Sequence, residues 1–288
     1  MLLEGIETLL VLSKAKTMSR TGSLLYISQS AVSKRIANLE KKIGKKLIVP
    51  HGRHIKLTQD AENLIANIAP TFNELRGQIY EQQAACENTV IKLDCSETLV
   101  AGYLAPALGN CFKLDQHISL TTNHTPRIIE HVQSGKATIG VCAGYLPPHH
   151  GLMTFHLIDE PFYVVSASPL TTLPDHIITN DLQNPANTYQ LSVLNQLGIS
   201  PIMEMDSYTA AAQLALADVA PALVPLSVIK TLNIQRHLYQ DFRQLKPLYR
   251  PINICLRANS YRNERVKALI ETIADAVPKV ALTPLAST

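Results

Sequence analysis

The chain has 288 residues, 46% hydrophobic and 17% charged, which excludes an intrinsically disordered protein and gives enough apolar surface for two or three domains. No run approaches the roughly 18 consecutive apolar residues of a membrane span, and the apolar N-terminal stretch is broken by Glu4 and Glu7 with no basic segment ahead of it, unlike a signal peptide. The net charge of +3 conceals a division: residues 1–58 carry 11 Lys+Arg against 3 Asp+Glu, a net +8, while the other 230 residues net −5. A small basic head on a mildly acidic body fits a nucleic-acid-binding domain with a separate partner domain, or a head whose basic face only solubilises it.

Leu2, Ile6, Leu9 and Leu10 recur at helical spacing and predict a first helix ending near Lys16. Ser19 is placed to cap a short second helix through Leu25, with a turn at Tyr26–Ser28. The third helix, from Ser28 to a terminating Gly44, carries Val32, Ile36, Leu39 and Ile43 as one apolar stripe. Ser30, Ser33, Lys34, Ala37 and Lys41 fall on the opposite side. There Gln29 can read an adenine edge, the serines can bond bases or phosphates, and Lys34 and Arg35 supply phosphate or guanine contacts. Two short apolar runs, Leu47–Val49 and Ile55–Leu57, flank a Pro-His-Gly-Arg-His turn and read as a hairpin. Arg53 and His54 then sit where a wing meets the DNA backbone or minor groove, although an ordinary hairpin with exposed charges has the same pattern.

The segment SQSAVSKRIANLEKKIGKKL, a turn and then IKLT resembles the N-terminal domain of LysR-type transcriptional regulators, strongly over residues 3–65 and by domain order beyond. The resemblance implies that Gln29, Ser30, Ser33 and Lys34 face the major groove and that Arg53 lies in the wing. Two departures stand out: Lys16-Thr17 replaces the family's Gly-Ser, and Thr21-Gly22 replaces its paired alanines. A helical Gly costs about 1 kcal/mol relative to Ala, so helix two is expected to be loosely packed, with Leu24 offsetting some of the loss.

Residues 59–88 read as a linker helix capped by Thr58. Ala61, Ile65, Ile68, Phe72, Leu75 and Ile79 follow a heptad spacing suited to pairing with a second copy, or to packing within the chain. Pro70, off that seam, is expected to kink or break the helix. From Val90 the pattern becomes β-α-β-α-β: strands at Val90–Cys95, Ile118–Thr122 and Ala137–Cys142, with helices at Thr98–Phe112 and Pro126–Ser134. Further strands are expected at Tyr163–Ala167, Ile202–Met205, Ala220–Val224 and Ile252–Leu256, with helices at Tyr208–Ala217 and Tyr261–Ala276.

The fold class is therefore α/β: a winged helix-turn-helix at 1–58, a linker helix at 59–88 and a body at 89–288. The resemblance implies a two-lobed body like the periplasmic binding proteins, with lobe I near 89–162 plus 258–288, lobe II near 163–257, and crossings near Asp159–Val165 and Leu256–Ser260. Ligands in such sheets bind beyond the carboxyl ends of strands, and helix N-termini there favour anions. Ser96, Thr98, Thr125, Arg127 and Ser207 are the candidate effector contacts; each hydroxyl has a helix-capping alternative and Arg127 a surface ion pair.

The expected partners are double-stranded DNA at a near-palindromic operator, a small effector of anionic character, a second copy of the chain in a dimer or tetramer, and RNA polymerase if the protein activates. No cofactor, metal or membrane partner is expected, and the chain is expected to be cytoplasmic. Five scattered cysteines form no C-x-x-C pair and read as buried thiols of a reducing compartment, with a redox switch as the alternative. The sequence has no P-loop, dinucleotide or nucleophile-elbow motif, so no enzyme is expected. Two other readings stay open: a regulator without an effector, and a small-molecule-binding protein or enzyme without DNA function.

Overall fold

A computed structural model describes residues 2–51, 54–83, 90–148 and 150–278, and the chain divides into two compact units, residues 1–75 and 76–288. In the first, α1 (Leu2–Ala15), α2 (Met18–Leu25) and α3 (Gln29–Ile43) precede β1 (Ile48–His51), β2 (His54–Leu57) and the start of α4 (Gln59–Gln83). The strands pair antiparallel from Ile48↔Leu57 to His51↔His54, making the hairpin expected from the two apolar runs. Leu9 and Leu12 of α1 meet Ile36 and Leu39 of α3, and Leu47 and Ala61 close the core.

Local chemistry sets the ends of these helices. Thr17, not Ser19, caps α2, its hydroxyl accepting from the Arg20 N–H at 3.3 Å. Ser28 caps α3 through the Ala31 N–H, and Gly44 ends it at φ 75°. Gly22 is not the weak point its helix propensity suggests. A Cβ there would stand 2.6 Å from the Ile27 carbonyl oxygen, so the missing side chain lets the turn close back onto α2. Leu24 is 56% exposed and does not pack as expected. Nor does α4 break at Pro70, which lies inside one continuous helix.

The hairpin is tied to α3 by a buried carboxylate. Glu40 Oε1 accepts from the N–H groups of Leu47 (2.8 Å) and Ile48 (3.3 Å), and Oε2 pairs with Lys46 Nζ at 2.9 Å. Burial works to raise its pKa, but the Lys46 ammonium and the two backbone donors outweigh it and hold the carboxyl below its ordinary value.

The second unit runs β3 (Ile91–Cys95), α5 (Glu97–Leu99), a π-helical turn (Val100–Leu104), α6 (Ala105–Leu114), β4 (Ile118–Thr122), α7 (Thr125–Gln133) and β5 (Ile139–Ala143). It continues with β6 (Met153–Val165), β7 (His176–Asn180), α8 (Thr188–Gln196), β8 (Ser200–Met205), α9 (Tyr208–Leu216), β9 (Ala222–Pro225) and α10 (Leu226–Thr231). β10 (Tyr239–Gln240), β11 (Tyr249–Leu256) and α11 (Glu264–Ala276) complete it. The strand order is β4-β3-β5-β11-β6-β9-β7-β8, with β10 on β6. Pairing is parallel among β4, β3 and β5 and among β9, β7 and β8, and antiparallel wherever β6 or β11 takes part. The sheet is therefore mixed, whereas a β-α-β-α-β order alone implies a largely parallel one.

Two large cores sit on this one sheet, beside a smaller one where Ile128 and Val132 of α7 meet Cys142 and Cys255. Leu93, Val141, Ile158, Ile252, Ile254 and Leu256 belong to the first; Phe162, Val164, Ile178, Leu194, Leu223 and Leu248 belong to the second. The chain thus passes from the first lobe to the second between Ile158 and Phe162, along β6. It returns between Leu248 and Ile252. The return lies earlier than the expected Leu256–Ser260, because β11 is a core strand of the first lobe and not the last strand of the second. Close approaches hold the lobes together: a Cβ on Gly102 would meet the Ser227 carbonyl oxygen at 2.5 Å, and one on Gly144 the Ala186 carbonyl oxygen at 2.5 Å.

Candidate nucleic-acid interface and ligand cleft

On the head, burying Val32, Ile36 and Leu39 turns the other face of α3 to solvent. Gln29, Ser30, Ser33, Lys34, Ala37 and Lys41 are all exposed. Ser30 Oγ lies 2.9 Å from the capping Ser28 Oγ, at the N-terminal end where a helix enters a groove. Arg35 is drawn aside: it is half-buried and reaches Glu4 of α1 at 3.4 Å. Arg53 and the side chain of His54 lie outside the described residues. Tyr26, in the turn before α3, is 96% exposed at φ 55°.

In the body, a cleft of about 460 Å³ opens between the lobes. Its walls come from the segments after β3 and β4 on one side, and from the ends of β7 and β8 on the other. Of the crossing strands, β11 supplies Arg250 to its lining, and β6 holds that side chain from behind. Glu160 of β6, fully buried, takes Arg250 of β11 through Nε at 2.8 Å and Nη2 at 2.6 Å. Its other oxygen accepts from Tyr103 Oη (2.7 Å) and the Ser227 N–H (2.6 Å). Arg250 Nη2 also reaches Thr98 Oγ1 at 3.1 Å and Ser227 Oγ at 3.0 Å. One ion pair thereby joins α5, the π turn, α10 and both crossings. Burial disfavours the Arg250 charge, but Glu160 prevails and raises its pKa. Tyr208 packs under the guanidinium, 5.4 Å from ring centre to Cζ, and burial raises its pKa.

Helix-turn-helix geometry on the head and a two-lobed body with an interlobe cleft are matched in the comparisons. Residues 3–62 match the family model of the bacterial regulatory helix-turn-helix protein, lysR family, and residues 87–278 match the LysR substrate binding domain. The chain belongs to the LysR family. An uncharacterized HTH-type transcriptional regulator of Vibrio cholerae is 68% identical over 286 residues, covering 99% of this chain and 100% of that one. Full-length structures share the fold: an OxyR variant from Pseudomonas aeruginosa (TM-score 0.60, 17% identity, 96% of this chain and 94% of that one) and CbnR (TM-score 0.55, 16% identity, 96% and 100%). The protein is a LysR-type transcriptional regulator, with a DNA-binding head and the substrate-binding-type body of that family.

Within this LysR-type cleft the sequence-expected residues separate. Ser96 makes no capping bond, and its Oγ lies 3.3 Å from Thr98 Oγ1 on the cleft wall. Thr125 also lines the cleft, yet its hydroxyl donates to the Ala143 carbonyl (2.8 Å) and accepts from the Ala143 N–H (3.0 Å), tying α7 to β5. Ser207 caps α9 through the Ala210 N–H at 3.2 Å. Arg127 is not a cleft residue; it is 52% exposed and pairs with Glu130 at 3.8 Å. Glu160, Arg250, Tyr208 and Asn180 were not foreseen. The available signal was a charge inside an apolar strand, as in LIDEPFYVV and YRPINICL, which asks for a buried partner.

The linker seam also divides. Ala61 is fully buried in the head's own core and has no surface left for a second chain, and Ile65 packs on the same core. Phe72 is buried, Ile68 half-buried, and Leu75 and Ile79 are exposed at 38% and 51%. Among the described residues, no three His, Cys, Asp or Glu side chains group as a metal site, and no helix is long and apolar enough to cross a membrane. Cys95, Cys142 and Cys255 are buried free thiols, while Cys86 lies outside the described residues. Burial raises the pKa of Cys95, which keeps it protonated and a poor nucleophile.

Proposed function

We propose that two copies of α3 enter successive major grooves of a near-palindromic operator, with Gln29, Ser30 and Ser33 on base edges or nearby phosphates. Lys34, Arg53 and His54 bind the backbone, and Arg35 joins them only by leaving Glu4. The observation that carries this reading is the exposed polar face of α3 opposite its buried stripe, in a head of net charge +8. Ile68, Leu75 and Ile79 on the outer part of α4 are the surface for a second copy, in a dimer or tetramer. The protein works in the cytoplasm, engages RNA polymerase where it activates, and performs no catalysis.

A small effector occupies the interlobe cleft against Ser96 and Thr98. It biases DNA binding by the difference in its affinity for the body's two arrangements. The test of the DNA reading is retention of genomic fragments on the purified protein at two salt concentrations. A few upstream fragments sharing an inverted repeat are expected, weakened by salt and lost in Ser33→Glu. Sequence-specific retention by Ser33→Glu would refute the assignment of α3.

A further inference from the structure

The effector's chemical class follows from the cleft's charges and its unmet hydrogen bonds, on the reading that the cleft is the effector site. Its one buried cation, Arg250, is already neutralised by Glu160. Two carboxylates line it: Glu97, with no ion-pair partner among the described residues, and Asp206, which meets only His124, at 3.4 Å across the cleft. A third, Asp94, lies fully buried behind the wall, where His131 Nδ1 meets its Oδ2 at 2.6 Å. The helix ends that would otherwise attract an anion are answered from within the chain. Glu97 sits in the first turn of α5, Asp206 stands just before α9, and Pro126 removes an N–H from the first turn of α7.

Two of the polar groups left over are amide oxygens, which can only accept. Asn123 Nδ2 donates to both oxygens of Asp94, at 2.9 and 3.1 Å. A carboxylate flanked in this way fixes the amide's orientation, so Asn123 is left with its Oδ1 as the free end. From the other lobe, Asn180 lines the cleft, is 7% exposed, and has a buried Oδ1 with no hydrogen-bond partner. A carboxylate or phosphate would face these oxygens with nothing to donate, beside carboxylates of its own sign.

We propose that the cleft takes a small polar molecule that donates N–H or O–H hydrogen bonds and carries no net negative charge, an amine or a polyol, and not the anion that helix N-termini alone suggest. The donors satisfy Asn123 and Asn180 from opposite lobes, and a cationic amine gains further from Glu97 and Asp206.

The experiment is a thermal-shift titration of the full chain with two sets of probes. One set holds putrescine, agmatine, ribose and inositol; the other holds succinate, benzoate and inorganic phosphate. At a hundredfold excess over Kd, binding raises Tm by about 5–10 °C. A shift from the donor set alone, lost in Ser96→Trp, supports the proposal. If the binder is an amine, Asp206→Asn weakens it about tenfold or more; if a polyol, Asp206→Asn leaves it unchanged. A shift from an acid or phosphate that is lost in Ser96→Trp overturns the proposed class while keeping the cleft. A shift that survives Ser96→Trp places the ligand elsewhere and overturns the cleft reading itself. Stability unmoved by every donor probe also counts against the class.

Discussion

Arg250→Met tests whether the buried ion pair holds the body together. The substitution keeps most of the side-chain length but removes the partner of a carboxylate with no exposed surface. Tyr103 Oη and the Ser227 N–H still serve Glu160 Oε1, whereas Oε2 loses both of its bonds. An uncompensated buried charge of this kind costs about 3–5 kcal/mol, or a fall in Tm of about 10 °C or more for a body of this size. Arg250→Met/Glu160→Gln should recover much of it, because the neutral amide still accepts from Tyr103. Urea unfolding of the four members of the cycle gives the coupling energy directly. A deficit under about 1 kcal/mol for Arg250→Met, or no recovery in the double variant, would refute the reasoning.

Gly22→Ala opposes two rules. Helix propensity favours Ala by about 1 kcal/mol, but the new methyl would stand 2.6 Å from a backbone oxygen, so net destabilisation of the head by about 1–3 kcal/mol is expected in thermal unfolding. Glu40 has a lowered pKa, so its contribution is present above the ordinary carboxyl value of 4.5 and is lost as pH falls through the lower folded value. Unfolding of wild type and Glu40→Gln between pH 3 and 7 (a window of about four units around that value) should show a shallower acid limb in the variant. Gly102→Ala puts a methyl 2.5 Å from the Ser227 carbonyl oxygen between the lobes, and should lower the Tm of the body while leaving the head's fold intact by circular dichroism.

The head was legible because its signals are local. The stripe Val32, Ile36 and Leu39, the capping Ser28 and the terminal Gly44 lie within one helix, and each rule acts over a few residues. Where a rule needed knowledge of a neighbour, it failed. Gly22 looked costly because the Ile27 carbonyl above it cannot be seen in the sequence, and Ser19 looked like a cap because Thr17 competes for the same helix end. In the body, the strands β3, β4 and β5 were clear from apolar runs. The stretch of β6 before Tyr163, with alternating polar residues and Pro161, was not. Of the cleft, only the strand ends that line it were legible. Which hydroxyls are free depends on partners far along the chain: Thr125 is spent on Ala143, and Thr98 receives Arg250 from 152 residues away.

The same long-range contacts constrain how the proposed effector can act. Wide opening of the cleft would have to part Gly102 from Ser227, break the Tyr145 N–H bond to the Ala186 carbonyl (3.2 Å), and strip Glu160 of partners in both lobes. These contacts lie at the hinge, beside the crossing strands, and losing the ion pair alone costs several kcal/mol. A ligand shifts a two-state equilibrium only by its differential affinity, and reversing 1:99 to 99:1 already takes about 5.5 kcal/mol. An effector that had to disrupt the hinge as well would need an interaction energy beyond what a small polar molecule in a hydrated cleft provides. Its leverage lies instead at the mouth, where His124 and Asp206 face each other while more than half exposed, and where small movements leave the Glu160–Arg250 pair intact.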